Sequence, residues 1–261
     1  MRVVRLVLLC LIAFAVTMVV FFPAAPVIEK IKPELRPLVL SGVTGPLLRG
    51  NVASVVSTDD LLPLQLQDVK WRFAPMKLIT GTGAAVEFSG LGGGGTGDVI
   101  RTWGGDIAID NVEVDIAASE LEAFLPVPIA RFAGKIRADF SEARLVNQQL
   151  TRLLGSLNWS DAQVNTNVLG PQLDIALGAL SIDIEPEDNG AHKATVAASG
   201  GDITADGVVN VQADGNFELN ILLTPSSNTP PELVEHLKRT TRPESSGRYR
   251  WQEAGNINRL L

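Results

Sequence analysis

From Leu38 onward the chain alternates apolar and polar residues with a period of two, the signature of half-buried strands. Leu64 and Leu66 alternate with Gln65 and Gln67, and then Val69, Trp71 and Phe73 alternate with Lys70 and Arg72. The apolar parity switches between these runs, at Gln67-Asp68. A one-residue slip sends every following side chain to the other face of a sheet unless a bulge absorbs it, so a β-bulge or sharp bend is predicted there. The slip recurs twice. Ile107 and Ile109 give way to Val112, Val114 and Ile116 across Asp110-Asn111, and Leu173, Ile175 and Leu177 give way to Leu180, Ile182 and Ile184 across Gly178. Alternation continues in Phe132 to Phe140, Leu157 to Val168, Ile203 to Ala213 and Phe217 to Leu223. Asn189-Gly190, Asp206-Gly207 and Asp214-Gly215 supply the positive φ of tight hairpins, so consecutive antiparallel pairing is expected.

Helical signal is sparse. Ser119 to Phe124 predicts one or two turns before Pro126. Thr229-Pro230-Pro231-Glu232 reads as a capping box with proline at the first helical position, followed by the apolar stripe Leu233, Val234 and Leu237. Leu91 to Gly97, with four consecutive glycines from Gly92 to Gly95, reads as a flexible loop or hairpin tip. A loose echo links Gly45–Phe73 with Gly134–Trp159, each a glycine-bounded strand followed by a tryptophan-bearing one, which is compatible with two β-lobes of similar build. The expected fold is all-β with a single N-terminal transmembrane helix: a long, curved, mainly antiparallel sheet, shaped as a trough or a sandwich, with one or two short helices.

The transmembrane element rests on the first residues. Arg2 and Arg5 precede an unbroken apolar run from Leu6 to Phe22, and no further charge occurs until Glu29. At about 1.5 Å per residue this run spans roughly 26 Å, and Val3, Val4, Ala24 and Ala25 extend it toward the roughly 30 Å of a bilayer core. The leading arginines favour a cytoplasmic N-terminus. A cleavable signal peptide shares the basic start, but its core is shorter, about 7 to 15 residues. Here Pro26 would also follow the best candidate cleavage bond, where it disfavours an extended peptidase substrate. The predicted division is residues 1–5 cytoplasmic, 6–28 transmembrane, 29–40 a proline-containing stalk and 41–261 an exported β-rich domain. Pro33 and Pro37 favour an extended stalk, with packing on the domain as the alternative.

Composition narrows the function. The 261 residues carry a net charge of −7, and no basic cluster follows the anchor, which argues against a nucleic-acid partner. Cys10, the only cysteine, lies within the apolar run, so the exported part has no disulfide, zinc-type thiolate set or thiol nucleophile. His192 and His236 are the only histidines; each reads as exposed and without a partner set, and the serines lack a GxSxG elbow. Asp183, Glu185, Glu187 and Asp188 lack calcium-loop spacing and are interrupted by Pro186; the glycine run is not followed by GK[ST]. Asn158-Trp159-Ser160 matches a glycosylation sequon, although Trp159 takes a core position. No catalytic, cofactor-binding or metal-binding residues are expected, and the reading is of a non-enzyme.

Several glycine and tryptophan motifs stand in a particular order. Leu40-Ser41-Gly42-Val43-Thr44-Gly45 is followed by Gly50, Val69-Lys70-Trp71-Arg72-Phe73-Ala74-Pro75, Leu154-Gly155-Ser156-Leu157-Asn158-Trp159, Gly247-Arg248-Tyr249-Arg250-Trp251 and Gly255. Together with a single N-terminal anchor, this order resembles the type II secretion system protein N family across nearly the whole chain. The family's threonine-leucine-tryptophan run is replaced here by Pro46-Leu47-Leu48. The resemblance implies a non-catalytic inner-membrane subunit of the machine that exports folded proteins from the periplasm across the outer membrane, with other secretion subunits and the inner membrane as partners. It supplies no binding residues. A fainter likeness to AsmA-like lipid-handling proteins offers the alternative of a trough that holds lipid; a solvent-open apolar groove would favour it, and a filled core with polar faces would favour docking.

Overall fold

The computed structural model describes residues 14, 17–18, 20–58, 64–124, 130–146, 149–166, 173–244 and 246–256. Period-two alternation is realised as one curved 14-stranded sheet. Its strands are β1 (Leu38–Thr44), β2 (Arg49–Ser57), β3 (Gln65–Phe73), β4 (Gly81–Gly90), β5 (Gly93–Thr102), β6 (Ile107–Ala117) and β7 (Ala130–Val146), then β8 (Gln149–Thr166), β9 (Leu173–Pro186), β10 (His192–Gly200), β11 (Ile203–Val211), β12 (Asn216–Pro225), β13 (Arg242–Pro243) and β14 (Tyr249–Asn256). From β1 to β12 each strand pairs antiparallel with its sequence neighbour; β14 then joins β12, and the two-residue β13 lies outside β14. A single sheet therefore runs through both echo segments.

All three parity slips are bulges. Asp68, Asn111 and Gly178 have φ of 49°, 52° and 71°. The β3–β4 register jumps between Gln67 and Lys70, the β5–β6 register between Thr96 and Asp98, and the β8–β9 register between Trp159 and Ala162, whose partners are Leu180 and Gly178. The extra residue restores the face: Leu66, Val69, Trp71 and Phe73 are half-buried, whereas Gln65, Gln67, Lys70 and Arg72 are exposed. A further bulge at Asp161 (φ 50°), opposite Gly134, keeps Trp159 and Ala162 buried together.

The apolar rows run across the strands. Ile116, Ile136, Trp159, Leu180, Ala198, Ala205, Leu223 and Tyr249 are successive cross-strand partners from β6 to β14. Two elements cover this row. The 3-10 turn Ala118–Phe124, where one or two helical turns were expected, brings Ala118 and Leu121 onto Ile136, Trp159 and Ala162. Helix α2 (Pro231–Thr240) brings Leu233 and Leu237 onto Leu173, Ile203 and Tyr249. Each of those leucines contributes about 1.5–3 kcal/mol by burial. Trp159 also meets Phe132 edge-to-face at 5.9 Å, and its indole N–H donates to the Ala133 carbonyl at 3.0 Å. Neither cluster includes a residue of β1–β5.

Four local expectations are corrected. Asp206-Gly207 is no turn: both residues lie inside β11, where Gly207 faces Ile221 and a Cβ would come within 2.4 Å of the Asn220 carbonyl oxygen. Only Leu91-Gly92 forms the β4–β5 turn, and Gly93 to Gly97 belong to β5, because bare backbone allows close approach on both sides. Thr229 does not cap α2. Its hydroxyl donates to the Asp202 carbonyl and accepts from the Ser226 N–H, and Pro230 takes the N-cap position. The proline-punctuated approach to β1 is not extended: α1 (Ala24–Ile31) leads into a 3-10 turn at Lys32–Leu35.

The predicted anchor falls largely outside the described residues. Phe14, Thr17, Met18 and Val20 are helical, and among the described residues no helix is long and apolar enough to cross a membrane.

Candidate functional site

The sheet offers two faces, and the apolar one is only partly closed. Among the described residues no large side chain is fully buried. All strands join in one sheet, with no second sheet packed against it. An open trough accounts for this better than a sandwich, whose two inner faces would bury each other.

Aromatic rings tile the trough by lying over cross-strand glycines. Trp71 faces Gly50, Phe88 faces Gly95, Phe140 faces Gly155 and Phe217 faces Gly255. A Cβ on Gly50 would sit 2.3 Å from Trp71 Cζ2, and one on Gly155 would sit 2.5 Å from Phe140 Cδ1. The spaced glycines and aromatics of the sequence motifs are thus complementary halves of stacked pairs. Trp71 is further fixed by its indole N–H, which donates to the Leu47 carbonyl at 2.8 Å.

The other face is charged. The 3-10 turn Pro75–Ile79 sets Lys77 3.8 Å from Asp98 and 3.6 Å from Asp110. The chain of charges continues through Arg144–Asp110 (2.6 Å), Arg144–Glu142 (3.4 Å) and Arg152–Glu142 (2.8 Å), joining β5 to β8. Under this cover Ala108 is buried beside Ile100, whereas Ile107, on the apolar parity of its strand, is exposed. At the β3 bulge, hydrogen bonds from Lys70 and Asn51 hold the Asp68 carboxyl below its usual range, and the same contact raises Lys70. A cleft of about 670 Å³ opens on this face, with Arg49, Lys70 and Arg72 along one side and Glu87, Asp98 and Glu113 along the other.

The residues weighed for chemistry are dispersed. Asp183 and Glu185 lie on β9, while Glu187 and Asp188 start the 3-10 turn Asp188–Gly190 before β10. His236 is half-buried on α2. His192 is half-buried at the start of β10, not exposed; burial, and then the Arg152 charge, lower its pKa, and Nε2 has no hydrogen-bond partner. Asn158 is exposed mid-strand in β8. Among the described residues no group of three or more His, Cys, Asp or Glu side chains is placed to hold a metal ion. The arrangement is one of surfaces: an open apolar trough, a charged face and two sheet edges.

Comparison with known proteins agrees with the motif order. Residues 36–252 match the family model described as type II secretion system (T2SS), protein N. A relative named type II secretion system protein N, from Vibrio cholerae serotype O1, is 24% identical over 255 residues, covering 92% of this chain and 93% of the relative. No solved structure matches.

Proposed function

The chain belongs to the type II secretion system protein N family and is thus a component of a type II secretion system; from that premise we propose that it is a non-catalytic, inner-membrane-anchored subunit whose sheet acts in the periplasm. In this reading residues 1–5 are cytoplasmic, the anchor lies within 6–28, a short link covers 29–40 and the β-rich domain occupies 41–261. Exposed Phe14, Met18 and Phe21 support a lipid-facing N-terminal segment. The sheet supports export of folded proteins across the outer membrane by docking on other secretion subunits.

The observation that carries the docking role is the long sheet itself, with half of its apolar face uncovered by either core cluster. Such a surface suits protein contact more readily than catalysis. Deleting the gene and measuring exoprotein release tests the role, and co-purification from solubilised membranes tests the partners. Unchanged release with no secretion subunit recovered would sink the proposal.

The same open trough favours a second reading, lipid handling. Lipid mass spectrometry on protein purified from membranes separates the two. Stoichiometric lipid without any secretion partner would replace docking with lipid carriage.

A further inference from the structure

In a meander every second connection falls at the same end of the sheet. One end therefore holds the β1–β2 hairpin, the connection from β3 to β4, the β5–β6 hairpin and the start of β8. The most exposed large apolar side chains outside the N-terminal segment lie here: Ile79 is 85% exposed and Trp103 69% exposed, joined by Leu47 and Leu150. Ile79 and Trp103 belong to neighbouring connections, since the Trp103 N–H donates to the Thr80 carbonyl at 3.4 Å.

The N-terminal apolar segment leaves the body at this same end. The Leu47 N–H donates to the Phe22 carbonyl at 2.7 Å, and the Ala24 N–H donates to the Gly45 carbonyl at 3.0 Å. Charge follows much the same division, with Asp106 in the β5–β6 hairpin and Lys193 at the start of β10 as the exceptions. Arg49, Arg72 and Arg101 are exposed near these tips, Arg49 directly faces Arg72, and none of the three forms an ion pair among the described residues. Farther along this end, the β9–β10 and β11–β12 hairpins carry Glu187, Asp188 and Asp214 instead.

We propose that the sheet end bearing Ile79 and Trp103 is a second, shallow membrane contact, seated in the headgroup region of an anionic bilayer beside the N-terminal segment. This rests on the anchored reading given above. Indole and aliphatic side chains flanked by arginines match the interface, where apolar groups enter the acyl boundary and cations meet lipid phosphates. The acidic hairpins set the limit of the contact, because anionic headgroups repel them. The sheet then meets the membrane along β1–β8 and departs from it along β9–β14.

The test uses the full chain with Cys10→Ser, reconstituted in phosphatidylethanolamine vesicles containing phosphatidylglycerol. A polarity-sensitive fluorophore is placed on Ile79→Cys or Trp103→Cys, with Asp188→Cys as the comparison site. Expected are blue-shifted emission and quenching by spin-labelled lipid at positions 79 and 103, with water-like emission at 188. Replacing phosphatidylglycerol by phosphatidylcholine should reduce the quenching, and equal quenching would overturn the arginine–phosphate part. Water-like emission at both tips, in vesicles from which alkaline carbonate does not extract the protein, overturns the contact while leaving the anchor standing. Extraction by carbonate overturns the anchor itself. A shift that appears only after membrane proteins are added assigns the tips to a protein partner and overturns the lipid contact.

Discussion

The two halves of the sheet share a pairing rule but not a way of burying their apolar face. Strands β7–β9 run for 14 to 18 residues and lie under the 3-10 turn Ala118–Phe124 and the neighbourhood of α2, with clusters around Trp159 and Tyr249. Strands β1–β5 run for 7 to 10 residues and contribute to neither cluster; their polar face, not their apolar face, carries the turn Pro75–Ile79. A covering element makes the difference between a surface that stores stability and one left for contact. In the covered half Trp159 is a core residue, whereas Trp71 in the other lies across a bare strand.

Paired substitutions probe that contrast most strongly. Trp159→Ala should cost about 3–5 kcal/mol, because it removes a buried ring and its hydrogen bond to the Ala133 carbonyl. Trp71→Ala, on its half-buried counterpart, should cost about 1–2 kcal/mol. Urea unfolding followed by far-UV circular dichroism compares them, and equal losses would erase the distinction. Gly155→Val should cost about 1–3 kcal/mol by pressing on the Asp139 carbonyl and on the Phe140 ring across the ladder, read in the same assay.

Smaller effects are expected at the seam between the halves. Arg144 links Asp110 and Glu142 while partly exposed, so Arg144→Gln should cost about 0.5–1 kcal/mol, less at high salt. A cost unchanged by salt would mean that packing, not charge, joins the halves. The smallest effect belongs to His192, whose folded pKa is lowered by burial and by Arg152. As pH falls through about 6.5 the unfolded chain binds a proton that the folded chain resists, so stability declines below neutrality. His192→Gln should remove that part of the decline, measured as melting temperature at pH 7.5 and 5.5.

Much of this fold is legible in the order of residues because strand pairing is local. Parity breaks at Gln67-Asp68, Asp110-Asn111 and Gly178 locate bulges without any knowledge of neighbours. The break from Trp159 to Ala162 carries the same signal, obscured because alanine is a weak marker of a core position. Nonlocal cover is where reading fails. Alternation marks Ile107 and Ile109 and passes over Ala108, yet it is the alanine that is buried, under a turn some thirty positions earlier. Asp206-Gly207 has turn chemistry, but Ile221 on the next strand uses the glycine as space to pack. The exposed tips were invisible for the same reason: Ile79 and Trp103 are isolated apolar residues in separate loops, and only the meander brings them to one end.

The neighbour-to-neighbour order of the meander also bears on time. Because the strands up to β12 pair with the strand just made, the sheet is able to grow one hairpin at a time as successive segments emerge, without waiting for distant partners. Helix α2 arrives almost last, so the row it covers stays open through most of that growth. Completion is then a closing event at the C-terminal end, where β14 joins β12 and brings Tyr249 under Leu233 and Leu237, and a nascent chain that stops before α2 carries the sheet only to β12, without its lid or its last strands.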